Sequence, residues 1–295
     1  MKAPTPAALP VPTCECPQIP VGKIKVDGVL SEPVWQKAAP AGPFTLWDGK
    51  PAAWRTTARL LWDPKNLYVA FTCDDTDIES TMRRHDQNLW EQNEVVELFA
   101  DAGGEQTCYL EFEVNPRNAV VDLVLPSADS PGPLAGKKCW DAKGMKTAVR
   151  VRGSIGNRKD KDKGWTVEMA IPLQDFLTAP NCPPKNGDTW RVNLYRVDDT
   201  QGEVEFQAWS PTNTEKPSFH VPQRFGVLRF VAKEPAGGAP QRPPRGAAKA
   251  GGLTPAPAGK AGGTAATVGG TERTTSGAPR ATRTKMGTPP AGKGG

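Results

Sequence analysis

The sequence predicts an all-β fold: a two-sheet antiparallel β-sandwich of immunoglobulin-like or jelly-roll type. Three observations lead there. Short apolar runs of period two recur at near-regular spacing between residues 23 and 230, about ten of them, each closed by turn residues such as Gly, Pro, Asn or Asp. Almost no stretch has a helical period. Past residue 232 there is too little apolar content to pack.

Residues 1–21 are rich in Pro and Ala and read as a flexible segment. The folded domain is expected to span 22–232. Its first strand is expected over 23–29, where Ile24 and Val26 alternate with lysines before Asp27-Gly28. Ser31 to Ala38 reads as a helical turn with Ser31 as its cap and Trp35 pointing inward. Residues 56–63 and 66–74 form a hairpin across Asp63-Pro64-Lys65-Asn66, with Leu60, Trp62, Leu67, Val69 and Phe71 alternating. Residues 95–101 are a further strand, with Val95, Glu97 and Phe99 on one face and Val96, Leu98 and Ala100 on the other.

Residues 107–115 place Tyr109, Glu111 and Glu113 opposite Leu110, Phe112 and Val114, and 119–125 is the hairpin partner. A Pro/Gly/Ser loop follows at 127–136. Strands are expected at 146–152, 164–171, 189–197, 203–209 and 225–230, with a helical turn at 172–177. A closed barrel would show the same pattern.

Charge separates the chain into two parts. Residues 233–295 carry ten Lys/Arg against two Glu, so the chain's net +5 becomes −3 over the residues before 233. The tail, built of Ala, Gly, Pro and Thr, is expected to be disordered and basic. The folded part shows no basic stripe, which argues against nucleic acid as a partner. There is no transmembrane-length apolar run and no visible signal peptide. Six cysteines permit disulfides in an exported protein, but Cys14-Glu-Cys16 is too tight a pair for zinc.

Catalytic motifs are missing. With only His85 and His220, a histidine-based triad or metal site has little to draw on. No Gly-x-Ser-x-Gly elbow, His-Glu-x-x-His or phosphate loop occurs. Glu97, Glu111, Glu113 and Glu168 all lie on strands and would be the carboxylates of a glycosidase, or simply strand glutamates facing water.

Binding chemistry fits better. Nine Trp stand against three Tyr. Trp35, Trp62, Trp165 and Trp190 sit in apolar periodic context and read as core. Trp90, Trp140 and Trp209 sit among polar residues or at strand ends, where a flat ring beside polar groups suits a sugar. Glu97 lies between Val95 and Phe99, so it is a rim residue, an acid paired with an Arg, or a ligand acid near Trp90. Arg196 is a planar donor for a ligand, or the partner of Asp198 or Glu205. Asp74, Asp75 and Asp77 form a solvated turn or supply oxygens to calcium, although their spacing fits no EF-hand.

Seven segments in order resemble the family 9 carbohydrate-binding modules and the wider group of DOMON-like sandwich domains. They are Val26-Asp-Gly-Val-Leu-Ser-Glu-Pro-Val-Trp35, Ala58-Arg-Leu-Leu-Trp-Asp63 with Leu67-Tyr-Val-Ala70, Trp90-Glu with Val96-Glu-Leu-Phe-Ala-Asp101, Trp165-Thr-Val-Glu-Met-Ala-Ile-Pro172, Gly187-Asp-Thr-Trp-Arg-Val-Asn193, Trp209-Ser-Pro211 and Phe225-Gly-Val-Leu-Arg229. The resemblance implies a non-catalytic module for plant cell-wall sugars, attached to or working beside glycoside hydrolases, with structural calcium. It implies that Trp90 and Phe219 are the two rings that clamp a terminal sugar and that Glu97 is a polar ligand; Arg196, read above as a planar donor, completes the expected site. It places the protein outside the cell, in the periplasm or on the cell surface. The alternative is a surface interaction domain that keeps the sandwich without its sugar site.

Overall fold

The computed structural model describes residues 10–91, 94–126 and 140–232. The expected tail at 233–295, the loop at 127–136 and residues 1–9 lie outside the described residues. Twelve strands run in chain order: β1 Thr13–Pro17, β2 Thr45–Leu46, β3 Thr56–Trp62, β4 Asn66–Cys73, β5 Val95–Asp101, β6 Cys108–Val114, β7 Val120–Pro126, β8 Lys146–Val151, β9 Trp165–Pro172, β10 Thr189–Thr200, β11 Glu203–Ala208 and β12 Gly226–Val231. They form two sheets. The larger has the order β1-β12-β10-β5-β6-β7, with β11 pairing both β10 and β2, and the smaller is β3-β4-β9-β8. All ladders are antiparallel except β1 on β12. No helix among the described residues is long and apolar enough to cross a membrane.

Period two makes the layers. Leu60, Trp62, Val69, Phe71, Val167, Met169, Val96, Leu98, Phe112, Trp190 and Leu194 meet between the sheets in one core. The four tryptophans read as core are buried, at 0–2% exposure. On the far side of the small sheet, Trp35, Leu61, Tyr68, Ala70 and Ala170 pack beneath the incoming chain. On the far side of the large sheet, Val95, Phe99, Tyr109, Val121, Tyr195, Phe219 and Phe225 form a second apolar layer.

Two segments differ from expectation. Residues 23–29 form no strand. Their backbone is held by a side chain instead: the amides of Asp27 and Gly28 both donate to Glu168 Oε2 at 2.9 Å, and Trp35 Nε1 donates to its Oε1 at 3.0 Å. An edge strand comes from the stretch read as flexible, where β1 turns Cys14 and Cys16 inward and leaves Thr13 and Glu15 outside. Its proline, Pro17, stands at the strand end, where a missing ladder donor costs nothing. The helical turn at Pro33–Lys37 is a 3-10 turn with Glu32, not Ser31, at its cap position. Cys14, Cys16, Cys73, Cys108 and Cys182 are free thiols, and Cys139 lies outside the described residues.

Candidate functional site

The far face of the large sheet concentrates polar side chains among aromatic ones. Strand register sets them in rows. Tyr195 of β10 stands opposite Glu97 of β5, which stands opposite Glu113 of β6. In the neighbouring row, Asn193 faces Phe99, which faces Glu111. Alternation along each strand then puts Glu97, Glu111 and Glu113 on one face, with Glu97 and Glu113 as a directly opposed like-charge pair. All three are buried, at 2, 4 and 0% exposure.

Two of these carboxyl groups, Glu97 and Glu111, resist ionisation because they lie away from water. Burial pushes Glu97 well above the usual carboxylate range, and the charge of Glu111 adds to the effect. Burial raises Glu111 too, while a hydrogen bond with Glu113 and the nearby His220 pull it down. Oε2 of Glu111 is buried without a hydrogen bond among the described residues, 4.0 Å from His220 Nδ1. Lateral support comes from Asn193, whose amide donates to the Tyr195 hydroxyl at 2.7 Å and to the Ser210 carbonyl at 2.8 Å. Such carboxyls can offer both donors and acceptors to a neutral, hydroxyl-bearing ligand.

The segment before β12 roofs this face. The ring of Phe219 stacks on Tyr195, and the His220 ring lies 5.2 Å from Phe99 at 32°, with Nδ1 2.9 Å from the Tyr109 hydroxyl. Phe219 is itself only 8% exposed, whereas the His220 side chain is half exposed. At the margin, the single turn Leu89–Glu91 buries Leu89 in the apolar layer and leaves Trp90 40% exposed.

Of the four residues expected to bind sugar, Glu97 and Phe219 meet on this face and Trp90 follows Leu89 at its margin. Arg196 does not join them. It follows Tyr195 on β10, so it points the other way, between the sheets, at 0% exposure. There its Nη2 donates to Asp75 Oδ2 at 2.6 Å and to Asp198 Oδ1, with Glu94 Oε2 at 3.7 Å. Its Nη1 donates to the Asp74 carbonyl and the Thr56 hydroxyl, and its Cζ lies 5.9 Å from the Trp165 ring. The ion-pair reading with Asp198 is the one the geometry realises.

The three acids expected to hold calcium are likewise separated. Asp75 turns in to Arg196, Asp74 is exposed, and Asp77 accepts from Arg158 Nη1 and the Gln201 amide, both at 2.9 Å. Asp75 does meet two other carboxylates, Glu94 and Asp198, with ligand atoms within 4.8 Å of one another. The cation at their centre is Arg196, so this set does not fit calcium without displacing a guanidinium. Sequence reasoning placed Tyr109, Glu111 and Glu113 together on a face but gave no role to Tyr195 or His220. The signal available for Tyr195 was its alternation with Leu194 and Arg196.

The pattern of one family, the carbohydrate family 9 binding domain-like domains, matches residues 26–233. An extracellular protein of Arthroderma benhamiae is 27% identical over 196 residues, 63% of this chain and 83% of that protein. Endo-1,4-beta-xylanase A of Thermotoga neapolitana is 27% identical over 174 residues, which are 59% of this chain but 14% of the xylanase. Among solved structures, a family 9 carbohydrate-binding module of Caldicellulosiruptor kristjanssonii in complex with cellotriose shares the fold. Its TM-score is 0.53 at 16% identity, covering 78% of this chain and all of that one. With its match running from the Asp27-Gly28 turn that Glu168 holds to the end of β12, the chain belongs to the carbohydrate family 9 binding domain-like family.

Proposed function

We propose that this chain is a non-catalytic carbohydrate-binding module acting outside the cell beside glycoside hydrolases. Its ligands are plant cell-wall polysaccharides such as xylan or cellulose, or the ends of their oligosaccharides. The observation that carries this reading is Trp90, an indole left 40% exposed at the margin of a face floored by Tyr195, Tyr109 and buried carboxyls. An exposed ring covers the C–H face of a sugar while carboxyl, phenol and imidazole groups bond its hydroxyls. The partner and the location are supported by the relatives, one an extracellular protein and one a xylanase of which this chain matches a small part. The non-catalytic reading is supported by Glu168, whose oxygens are taken by Asp27, Gly28 and Trp35.

One observation favours a second reading, an interaction domain without a sugar site. Phe219 is spent on Tyr195 and does not stand free as a second clamp ring. Calorimetric titration with cello- and xylo-oligosaccharides separates the two. The first reading expects saturable heat with sugar that falls at least roughly tenfold in affinity in Trp90→Ala, the loss of its exposed aromatic contact. Absence of heat at millimolar sugar for every oligosaccharide supports the second.

A further inference from the structure

A second group of polar side chains meets at the free edge of β7, on none of the residues assigned to sugar. The amide of Asp86 donates to the Val120 carbonyl at 3.0 Å, which lays residues 84–87 along that edge. His85 then stands between two carboxylates: its Nδ1 is 3.2 Å from Asp86 Oδ2 and its Nε2 is 3.3 Å from Asp122 Oδ1. Asp141 closes the group, with one ligand atom each from His85, Asp86 and Asp141 lying within 4.8 Å of one another.

Asp122 backs the His85 ring on the side away from Asp86. It is 1% exposed, and its Oδ2 accepts from the Ala142 amide at 2.6 Å. Its Oδ1 is buried without a hydrogen bond among the described residues and is aimed at the His85 ring. A buried carboxylate behind one imidazole nitrogen favours the tautomer with its proton there, and leaves the other nitrogen's lone pair for a metal. Here that other nitrogen, Nδ1, is the one that faces Asp86.

We propose that His85 Nδ1, Asp86 and Asp141 bind a divalent transition metal ion of the zinc or nickel class, with Asp122 as the positioning residue behind Nε2. A nitrogen with two carboxylate oxygens suits those ions, whereas calcium takes oxygen ligands in larger number. The ion leaves coordination positions for water and ties Asp141 to the 84–87 turn, which ends three residues before Trp90.

The test is calorimetric titration of the full chain with zinc chloride in chelator-free buffer, alongside nickel and calcium. One zinc ion per chain is expected, with calcium failing to compete. His85→Ala and the exposed-site Asp141→Asn each weaken binding at least roughly tenfold, and Asp122→Asn weakens it by roughly ten- to a hundredfold without losing a ligand. His220→Ala and thiol-blocked protein bind as the parent does. Asp141→Asn keeps the test decisive if substitution of the buried Asp122 impairs folding. No heat at millimolar zinc, full binding by His85→Ala, or binding abolished by thiol blocking overturns the proposal.

Discussion

The ring of Phe219 lies flat on that of Tyr195, with centroids 4.1 Å apart and planes 12° apart, and the Tyr195 hydroxyl donates to the Phe219 carbonyl at 2.8 Å. A stacked pair joined by its own hydrogen bond is a fastening. It pins the segment between Pro217 and Phe225 to β10 and thereby sets His220 over Phe99. Phe219→Ala is expected to cost about 2–4 kcal/mol, as large-to-small changes at buried aromatic sites do, measured by chemical denaturation. If Phe219 were instead a free sugar platform, the substitution would lower affinity and leave stability nearly unchanged.

Arg196 holds a different weight. It is the cation facing Asp75, Glu94 and Asp198 between the sheets. Removing one partner of a buried pair strands the other charges, so Arg196→Met is expected to lose about 3–5 kcal/mol in denaturant unfolding. Adding Asp75→Asn and Asp198→Asn to it should recover part of that loss, because the uncompensated charges go with the cation. Arg196→Met that unfolds like the parent would show that the network contributes nothing to stability.

Burial gives the protein a definite pH dependence. The Asp198 carboxyl is pushed up to about 6 by burial, against the pull of Arg196, and Glu94, Glu97 and Glu111 are raised by burial as well. In the unfolded chain these groups ionise near the ordinary carboxylate pKa of about 4. Between that value and the raised one, the folded state binds more protons than the unfolded state, so stability falls as pH rises. For Asp198 the window runs from about 4 to about 6, and Glu94 and Glu97 extend it upward. Asp27 and Asp48 are lowered, chiefly by the Val29 amide and by Lys50, but both lie at the surface, where solvent screens them. Thermal melts are therefore expected to give a higher Tm at pH 5 than at pH 8, with a smaller difference in Glu97→Gln. A Tm that rises over this range would contradict the placement of these acids.

Most of the sandwich was legible because period two is a local property: β3, β4, β5, β6 and β9 each declare their two faces within eight residues. β1 was hidden because the prolines around it read as a linker, while the partner strand of its inward pair, Cys14 and Cys16, is β12, more than 200 residues away. Residues 23–29 alternate like a strand, yet Glu168 takes the amides at their end, a partner no local pattern names. At the site, alternation placed Tyr109, Glu111 and Glu113 together. It equally opposed Arg196 to Tyr195, yet its planar donor group placed Arg196 among the expected sugar residues regardless. The acids at 74–77 looked like one cluster in sequence, but they form a turn in which the Asp77 amide donates to Asp75 Oδ1 at 2.8 Å and the three carboxylates diverge. Asp75 finds its companions in Glu94 and Asp198 instead.

Glu168 gives the last prediction, and it separates fold from function. Its side chain lies on the far face of β9 and accepts three hydrogen bonds from the segment that covers the small sheet: two amides, Asp27 and Gly28, and the Trp35 indole. Gly28 sits there at φ +79°, so close to β8 that an added Cβ would stand 2.7 Å from the Val149 carbonyl carbon. The covering chain is thus drawn down by one carboxylate onto a glycine with no room to spare. Glu168→Ala leaves two amides and an indole N–H without acceptors beneath the covering segment, where Glu168 and Trp35 are buried, and is expected to cost about 2–4 kcal/mol. Hydrogen exchange should rise first at the amides of Asp27, Gly28 and Trp35, ahead of β5 and β10. Sugar binding, which we propose for the opposite sheet, should persist below the new melting point. Loss of binding with an intact covering segment would return Glu168 to the list of functional carboxylates.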